Sequence, residues 1–214
     1  MTGKITLKPG MKVLFTGDSI TDCGRSIFRP LGTGYVSFIA KKLKETHPQL
    51  NPKLINTGVG GNTTRELLGR WQKDCIEHQP NVLSILIGIN DLWRQYGTEL
   101  DMTMTVYPEE YESNYRRMLT AVKENCNTKI ILIEPFMFTN NTDNPFFAGL
   151  KDYRNIVRFL ADEFGTALLE LQSLINDTLL HVPPEKLSDD FVHPSFWAHQ
   201  WLAEQWLDAV AVTG

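Results

Sequence analysis

The stretch Lys12-Val13-Leu14-Phe15-Thr16-Gly17-Asp18-Ser19-Ile20-Thr21 decides how this chain folds. It opens as an apolar run of β-formers and stops abruptly at Gly-Asp-Ser, followed by the turn residues Asp22, Cys23 and Gly24. A buried strand of an α/β sheet reads this way where it ends at the sheet's carboxyl edge. Ligands of such folds bind in the crevice outside that edge. Ser19 is there either as a helix or turn cap, because Ser and Asp hydrogen-bond locally in turns, or as a nucleophile. The choice turns on whether the remaining chain supplies a base and an oxyanion hole.

Outward from that strand, helices and strands alternate. Residues 35–45 carry Val36, Ile39, Ala40 and Leu43 at helical spacing, and Pro48 closes that helix. Residues 53–57 read as a second strand, followed by the turn Gly58-Val59-Gly60-Gly61-Asn62. Residues 63–78 read as a helix with Leu67, Leu68, Trp71, Cys75 and Ile76 inward. Residues 82–87 are the most apolar strand, ended by Gly88-Ile89-Asn90-Asp91. Residues 92–107 have no clear period and read as a loop over the sheet edge, and Pro108 opens the next helix. Residues 130–133 form a fourth strand, and residues 136–149 are irregular, with Phe146 and Phe147 as a candidate contact surface between subunits. A helix over 153–164, a strand over 167–171, a short helix over 173–180 and a last helix over 195–210 complete the chain. Trp197, Trp201 and Trp206 read as packing residues of that last helix.

Such alternation implies a parallel sheet covered on both faces. Right-handed crossovers then leave few topologies, and the expectation is one three-layer α/β/α domain over residues 1–214 with about five strands.

The 214 residues include 21 Lys and Arg against 25 Asp and Glu, a net charge of −4 with no block of like charge. Nucleic acid is therefore excluded as a partner, since phosphate binding needs a concentrated basic surface. Cys23, Cys75 and Cys126 are odd in number and far apart, so there is no disulfide framework and no CxxC metal site. The histidines show no zinc-ligand spacing, and no metal is expected. Gly58-x-Gly60 lacks the third glycine of a dinucleotide loop, where Thr63 stands, and no P-loop follows, so no cofactor is expected. No signal-peptide core or membrane-spanning run is seen, and a soluble, cytoplasmic protein without a membrane partner is the default.

Four stretches meet at one edge, because parallel strands all present their carboxyl ends on the same side. They are Gly17-Asp18-Ser19, Gly60-Gly61-Asn62, Gly88-Ile89-Asn90-Asp91 and Asp190-Phe191-Val192-His193. Pro194 keeps His193 extended, as a solvated loop histidine or as a base. Asp190 stands three residues earlier, where a turn can bring its carboxylate to the imidazole Nδ1–H, with Asp189 as a competitor. Gly61 offers a bare backbone N–H, or simply a tight turn. Asn90 carries an amide that can donate to a developing oxyanion, or caps a turn. The order Ser, Asp, His suggests an α/β-hydrolase, but G-x-S-x-G is absent and Ser19 follows the first strand, so that analogy fails.

In order, Gly17-Asp18-Ser19-Ile20, an isolated Gly61, Gly88-x-Asn90-Asp91 and Asp190-x-x-His193 resemble the four blocks of the GDSL, or SGNH, hydrolases. The resemblance spans nearly the whole chain and implies that family's flavodoxin-like fold. It implies Ser19 as nucleophile, His193 as general base, Asp190 as its orienting partner, and an oxyanion hole from Ser19 N–H, Gly61 N–H and the Asn90 side chain. Residues 17–25 and 88–96 look closer still to the intracellular acetylxylan-esterase branch. In that branch a tryptophan directly precedes the triad aspartate, whereas Asp189 stands there in this chain. Asp18, Trp93, Arg94 and Tyr96 are candidate substrate-binding residues, the last three either lining a sugar or acyl pocket or folding the loop over the edge. The expectation is a serine esterase removing short acyl groups, O-acetyl above all, from carbohydrate esters, with a small-molecule or oligosaccharide substrate and a possible homo-oligomer. A short-chain lysophospholipase or thioesterase, and a non-catalytic carbohydrate-binding protein, are the alternatives.

Overall fold

A computed structural model describes residues 4–96 and 104–212, and for residues 95 and 96 the backbone alone. Strand β1 (Ile5–Leu7) precedes β2 (Lys12–Gly17), which runs through Asp18 into the single-turn helix α1 (Ser19–Asp22). Helix α2 (Tyr35–Thr46), strand β3 (Lys53–Asn56) and the short helices α3 (Thr64–Gly69) and α4 (Trp71–Asp74) follow. Strand β4 (Val82–Leu86) leads into α5 (Ile89–Tyr96), and α6 (Pro108–Asn125) into β5 (Lys129–Ile133). Then come α7 (Pro145–Phe164), β6 (Ala167–Leu169), α8 (Leu171–Thr178), α9 (Pro184–Leu187), α10 (Phe196–Asp208) and β7 (Val210–Val212).

Five strands form a parallel sheet in the order β3-β2-β4-β5-β6. Val13 of β2 stands opposite Leu54 on one side and Val82 on the other. The chain leaves β2, adds β3 beside it, and crosses to β4 on the far side. That reversal opens a crevice at the carboxyl ends of β2 and β4. Side chains alternate between the two faces. Val13 and Phe15 join α2, α8 and α10 in one core, with Phe15 and Trp206 rings 5.1 Å apart. Leu14, Leu83 and Ile85 join α3, α6 and α7 in the other. Each such apolar side chain contributes roughly 1.5–3 kcal/mol on burial, so both layers hold the strand ends firmly. Trp206 meets its polar need inside the core by donating its indole N–H to Ser84 Oγ at 3.1 Å. Trp197 and Trp201 are partly buried against the same core, as read from the sequence.

Several elements differ from expectation. The segment read as a loop from residue 92 begins as helix, because α5 starts at Ile89 and buries Ile89, Asp91 and Leu92. Residues 97–103 of that loop lie outside the described residues. The helix expected over 63–78 breaks at Arg70 and ends in a 3-10 turn, Ile76–His78. Helix α7 starts at Pro145, capped by Asn144 Oδ1, which accepts from the backbone N–H of Phe146 and Phe147. Phe146 and Phe147 are therefore buried in its first turn and offer no exposed contact surface, correcting the sequence reading. β1 and β7 pair in parallel as a separate two-stranded sheet, which the sequence pattern did not signal. Among the described residues no helix is long and apolar enough to cross a membrane.

Candidate active site

Gly17 ends β2 against β4 so closely that a Cβ there would stand 2.0 Å from the Leu86 carbonyl oxygen. Only glycine fits, and the chain turns at once. Asp18 caps α1, its Oδ1 accepting from Ile20 N–H at 3.0 Å. Ser19 is thereby the first residue of α1, at the crevice. Among the described residues its backbone N–H meets no acceptor.

At the other end of the chain, residues 188–195 form a tightly bonded loop. Asp190 Oδ1 accepts from the N–H of Val192 (2.9 Å) and His193 (2.7 Å) and from Ser188 Oγ (3.0 Å). Phe191 takes a left-handed φ of 65° and its carbonyl accepts from Phe138 N–H at 2.7 Å. Ser195 Oγ caps α10 by accepting from Ala198 N–H. So held, His193 Nδ1 lies 2.6 Å from Asp190 Oδ2 and its Nε2 3.0 Å from Ser19 Oγ. Burial pushes the Asp190 carboxyl upward, but the His193 imidazole and the converging donors prevail and hold it at about 2. It is Asp190, and not the adjacent Asp189, whose carboxylate meets the imidazole.

The donors gather opposite. Gly58 sits where a Cβ would meet Asp22 N at 2.4 Å, so the loop 58–62 lies directly on α1. Gly60 N–H donates to Asp22 Oδ2 at 3.0 Å. Gly61 has a left-handed φ of 76°, and its N–H meets no acceptor among the described residues. Asn90 Nδ2 donates one proton to the Asn62 carbonyl at 3.0 Å. That bond fixes which way the amide faces and leaves a second N–H for a ligand.

Asp91, next to Asn90, is fully buried and accepts from Thr64 N–H (3.0 Å) and Thr64 Oγ1 (2.5 Å), which anchors the start of α3 to α5. Burial raises its carboxyl to about 7 against those bonds, with Asp18 adding repulsion. Asp18 is raised to about 7 as well, by burial, against the Ile20 N–H and the nearby His193. Asp18 does not belong among the substrate-binding residues: at 1% exposure it lies beneath the site, committed to its cap. Trp93 is exposed and packs edge-on against Phe146 at 5.0 Å, and Arg94, half-buried on α5, lies near Glu66. The Tyr96 side chain lies outside the described residues.

The other nearby imidazole has a different task. His199 Nδ1 accepts from Tyr35 N–H at 3.2 Å, so its proton sits on Nε2, 3.3 Å from Cys23 Sγ. Burial, with His193 close by, lowers it to about 4, and it stays neutral. Among the described residues no group of His, Cys, Asp and Glu could hold a metal ion. A hydroxyl on an imidazole, a carboxylate behind that imidazole and N–H donors of Ser19, Gly61 and Asn90 not all committed to acceptors among the described residues can carry acyl transfer. Asp22, Asn62, Arg70 and Asp91 hold these parts; the sequence stretches include Asn62 and Asp91 but give none of the four a role. Each is a polar residue in a turn or helix end, and most of their partners, such as Gly60 for Asp22, Asn90 for Asn62, Gly17 for Arg70 and Thr64 for Asp91, are distant in the chain.

The model of the GDSL-like lipase/acylhydrolase family matches residues 15–201. The chain is 38% identical to an acetylxylan esterase of Geobacillus stearothermophilus, over 92% of this chain and 93% of that one. It is 26% identical to an arylesterase of Vibrio mimicus, over 90% and 84% of the two chains. The crystal structure of Axe2, an acetylxylan esterase from Geobacillus stearothermophilus, superposes with a TM-score of 0.90 at 37% identity, covering 95% of each chain. Further structures of Axe2 are described as catalytic mutants in which a serine, an aspartate or a histidine is replaced by alanine.

Proposed function

This chain belongs to the GDSL-like lipase/acylhydrolase family and is a carboxylic ester hydrolase, and from that premise we propose that it removes O-acetyl groups from acetylated xylo-oligosaccharides or similar carbohydrate esters through an acyl-enzyme on Ser19. One observation carries this reading: Ser19 Oγ, His193 and Asp190 stand in line at 3.0 and 2.6 Å. The aspartate and histidine replaced in the Axe2 catalytic mutants are three positions apart, as Asp190 and His193 are, which supports the same roles here.

In the forward step Ser19 Oγ attacks the ester carbonyl and its proton passes to His193 Nε2. Asp190 accepts from Nδ1–H, holding the tautomer and favouring the imidazolium. In this reading the carbonyl oxygen gains charge facing Ser19 N–H, Gly61 N–H and the second Asn90 N–H, which stabilise it as an oxyanion hole. His193 then protonates the sugar's ester oxygen as its bond to the acyl carbon breaks, and water, deprotonated by the same imidazole, attacks the acyl-enzyme and releases acetate and free Ser19. The imidazole is more than half exposed, with a side-chain exposure of 58%, which suits a bulky leaving alcohol arriving from solvent. The free cysteines Cys23, Cys75 and Cys126 support placement in the reducing cytoplasm.

A series of p-nitrophenyl esters from acetyl to octanoyl, run beside acetylated xylosides, tests the reading. Activity is expected to be highest with acetyl groups and to fall by about 10⁴-fold or more in Ser19→Ala and His193→Ala. Activity rising toward octanoyl would overturn the acetyl assignment in favour of a lysophospholipase or thioesterase. Failure of a fluorophosphonate to label Ser19 would favour a non-catalytic carbohydrate binder.

A further inference from the structure

Building on the assignment of Ser19, Gly61 and Asn90 to the reacting site, we propose that Arg70 is the positioning residue of the oxyanion hole, one guanidinium clasping the end of β2 and both ends of the 57–62 loop, which supply two of its donors and, through the Asn62 carbonyl, seat the third.

Arg70 stands at the break between α3 and α4, its backbone capping α3 through bonds to the Leu67 and Leu68 carbonyls. Leaving the helix there, its side chain reaches under the sheet's carboxyl edge. Nη2 donates to the Gly17 carbonyl at 3.0 Å, two residues before Ser19. Nη1 donates to the Thr57 carbonyl at 2.6 Å, just beyond β3. Nε donates to Asn62 Oδ1 at 2.7 Å, the residue after Gly61. Nη1 also meets Asp74 Oδ2 at 2.9 Å, which balances the charge one turn away. Asn62 hands the constraint on, because its carbonyl accepts the Asn90 amide. The loop is held from its other side by Asp22, which accepts Gly60 N–H.

A guanidinium presents its five N–H groups in one rigid plane, so acceptors bound to it are fixed relative to one another. An ion pair with Asp74 alone would need none of the other three bonds. Arg70 touches no reacting atom. Its effect on turnover passes through where Asn90 and Gly61 stand relative to Ser19, and lysine, with one ammonium point, cannot reproduce it.

A double-mutant cycle on the full chain tests this, with kcat and KM for p-nitrophenyl acetate and a thermal unfolding curve for each variant. Arg70→Met is expected to lower kcat about 10- to 100-fold with KM changed less than about twofold, and to lower kcat less than about threefold when Asn90→Ala is already present. Arg70→Lys keeps a cation for Asp74 and serves if Arg70→Met does not fold; it is expected to lose about 5- to 50-fold in kcat with the same dependence on Asn90. Equal losses in both backgrounds, or full kcat in Arg70→Lys, would overturn the proposal while leaving the oxyanion assignment intact. Full kcat in Asn90→Ala alone removes that assignment, and the proposal falls with it.

Discussion

Gly58 and Gly61 are three positions apart, and they are glycine for unrelated reasons. At Gly58 a Cβ would lie 2.4 Å from the backbone N of Asp22, an atom that cannot yield without moving α1. At Gly61 the space is open, with nothing within 4 Å, and the constraint is the φ of 76° alone. Gly61→Ala is therefore expected to fold with a loss of about 1 kcal/mol, the ordinary cost of a left-handed alanine. Gly58→Ala is expected to cost about 3 kcal/mol or more and to lose activity, because the loop must lift from the nucleophile's helix. Urea unfolding and kcat on both variants separate them, and equal destabilisation would contradict the geometry. Of the two, only Gly61 could be singled out from the sequence, as a bare N–H at a strand end. The demand at Gly58 comes from α1 lying on the loop, which no local pattern encodes.

Among the elements, α5 shows where periodicity stops informing. Its eight residues span barely two turns, and its inward face mixes Ile89 and Leu92 with the polar Asp91. A buried carboxylate in that stripe hides the apolar repeat, so residues 92–107 read as loop. Asp91 is polar and yet buried because it binds another element: it accepts both the N–H and the hydroxyl of Thr64 at the start of α3. Thr63 and Glu66 close a capping box on the same turn. Asp91→Ala leaves the Thr64 donors without their partner and is expected to cost about 1–3 kcal/mol. Since α5 also carries Asn90, and α3 follows Asn62, kcat is expected to fall by about tenfold as their contact loosens. A stability loss with unchanged kcat would show that α3 and Asn90 are not linked through Asp91. The break at Arg70 escaped the sequence for a similar reason. Leu67, Leu68, Trp71 and Cys75 keep helical spacing across it, and only the partners of the guanidinium explain the interruption.

For the molecule as a whole, the architecture was legible because parallel strands repeat one rule, an apolar run ending in a polar turn, and that rule places Ser19, Gly61, Asn90 and Asp190-x-x-His193 on one edge. What lies beneath the edge was not. Asp18 looked like a substrate ligand, yet it is sealed in with Asp91 behind the nucleophile. Two buried carboxyls raised from 3.8 to about 7 link folding to pH across the entire chain. Below pH 3.8 folded and unfolded states both hold these protons. Between 3.8 and about 7 the folded state keeps protons that the unfolded chain has released, so the stabilisation they supply is lost as pH rises through about 7. Asp190, held at about 2, acts in the opposite sense: its contribution is present above 3.8 and is lost as pH falls toward 2. Stability is therefore expected to peak near pH 4 and to decline from there to about pH 7. Asp18→Asn keeps an oxygen to accept from Ile20 N–H and removes one of the two titrations. It is expected to flatten that decline and to be more stable than the parent at pH 8 by on the order of 1–3 kcal/mol, with little difference at pH 4. Urea midpoints of both proteins at half-unit steps from pH 4 to pH 8 make the comparison. A parent midpoint that rises over this range, or two curves that stay parallel, would show that Asp18 does not hold its proton in the folded state.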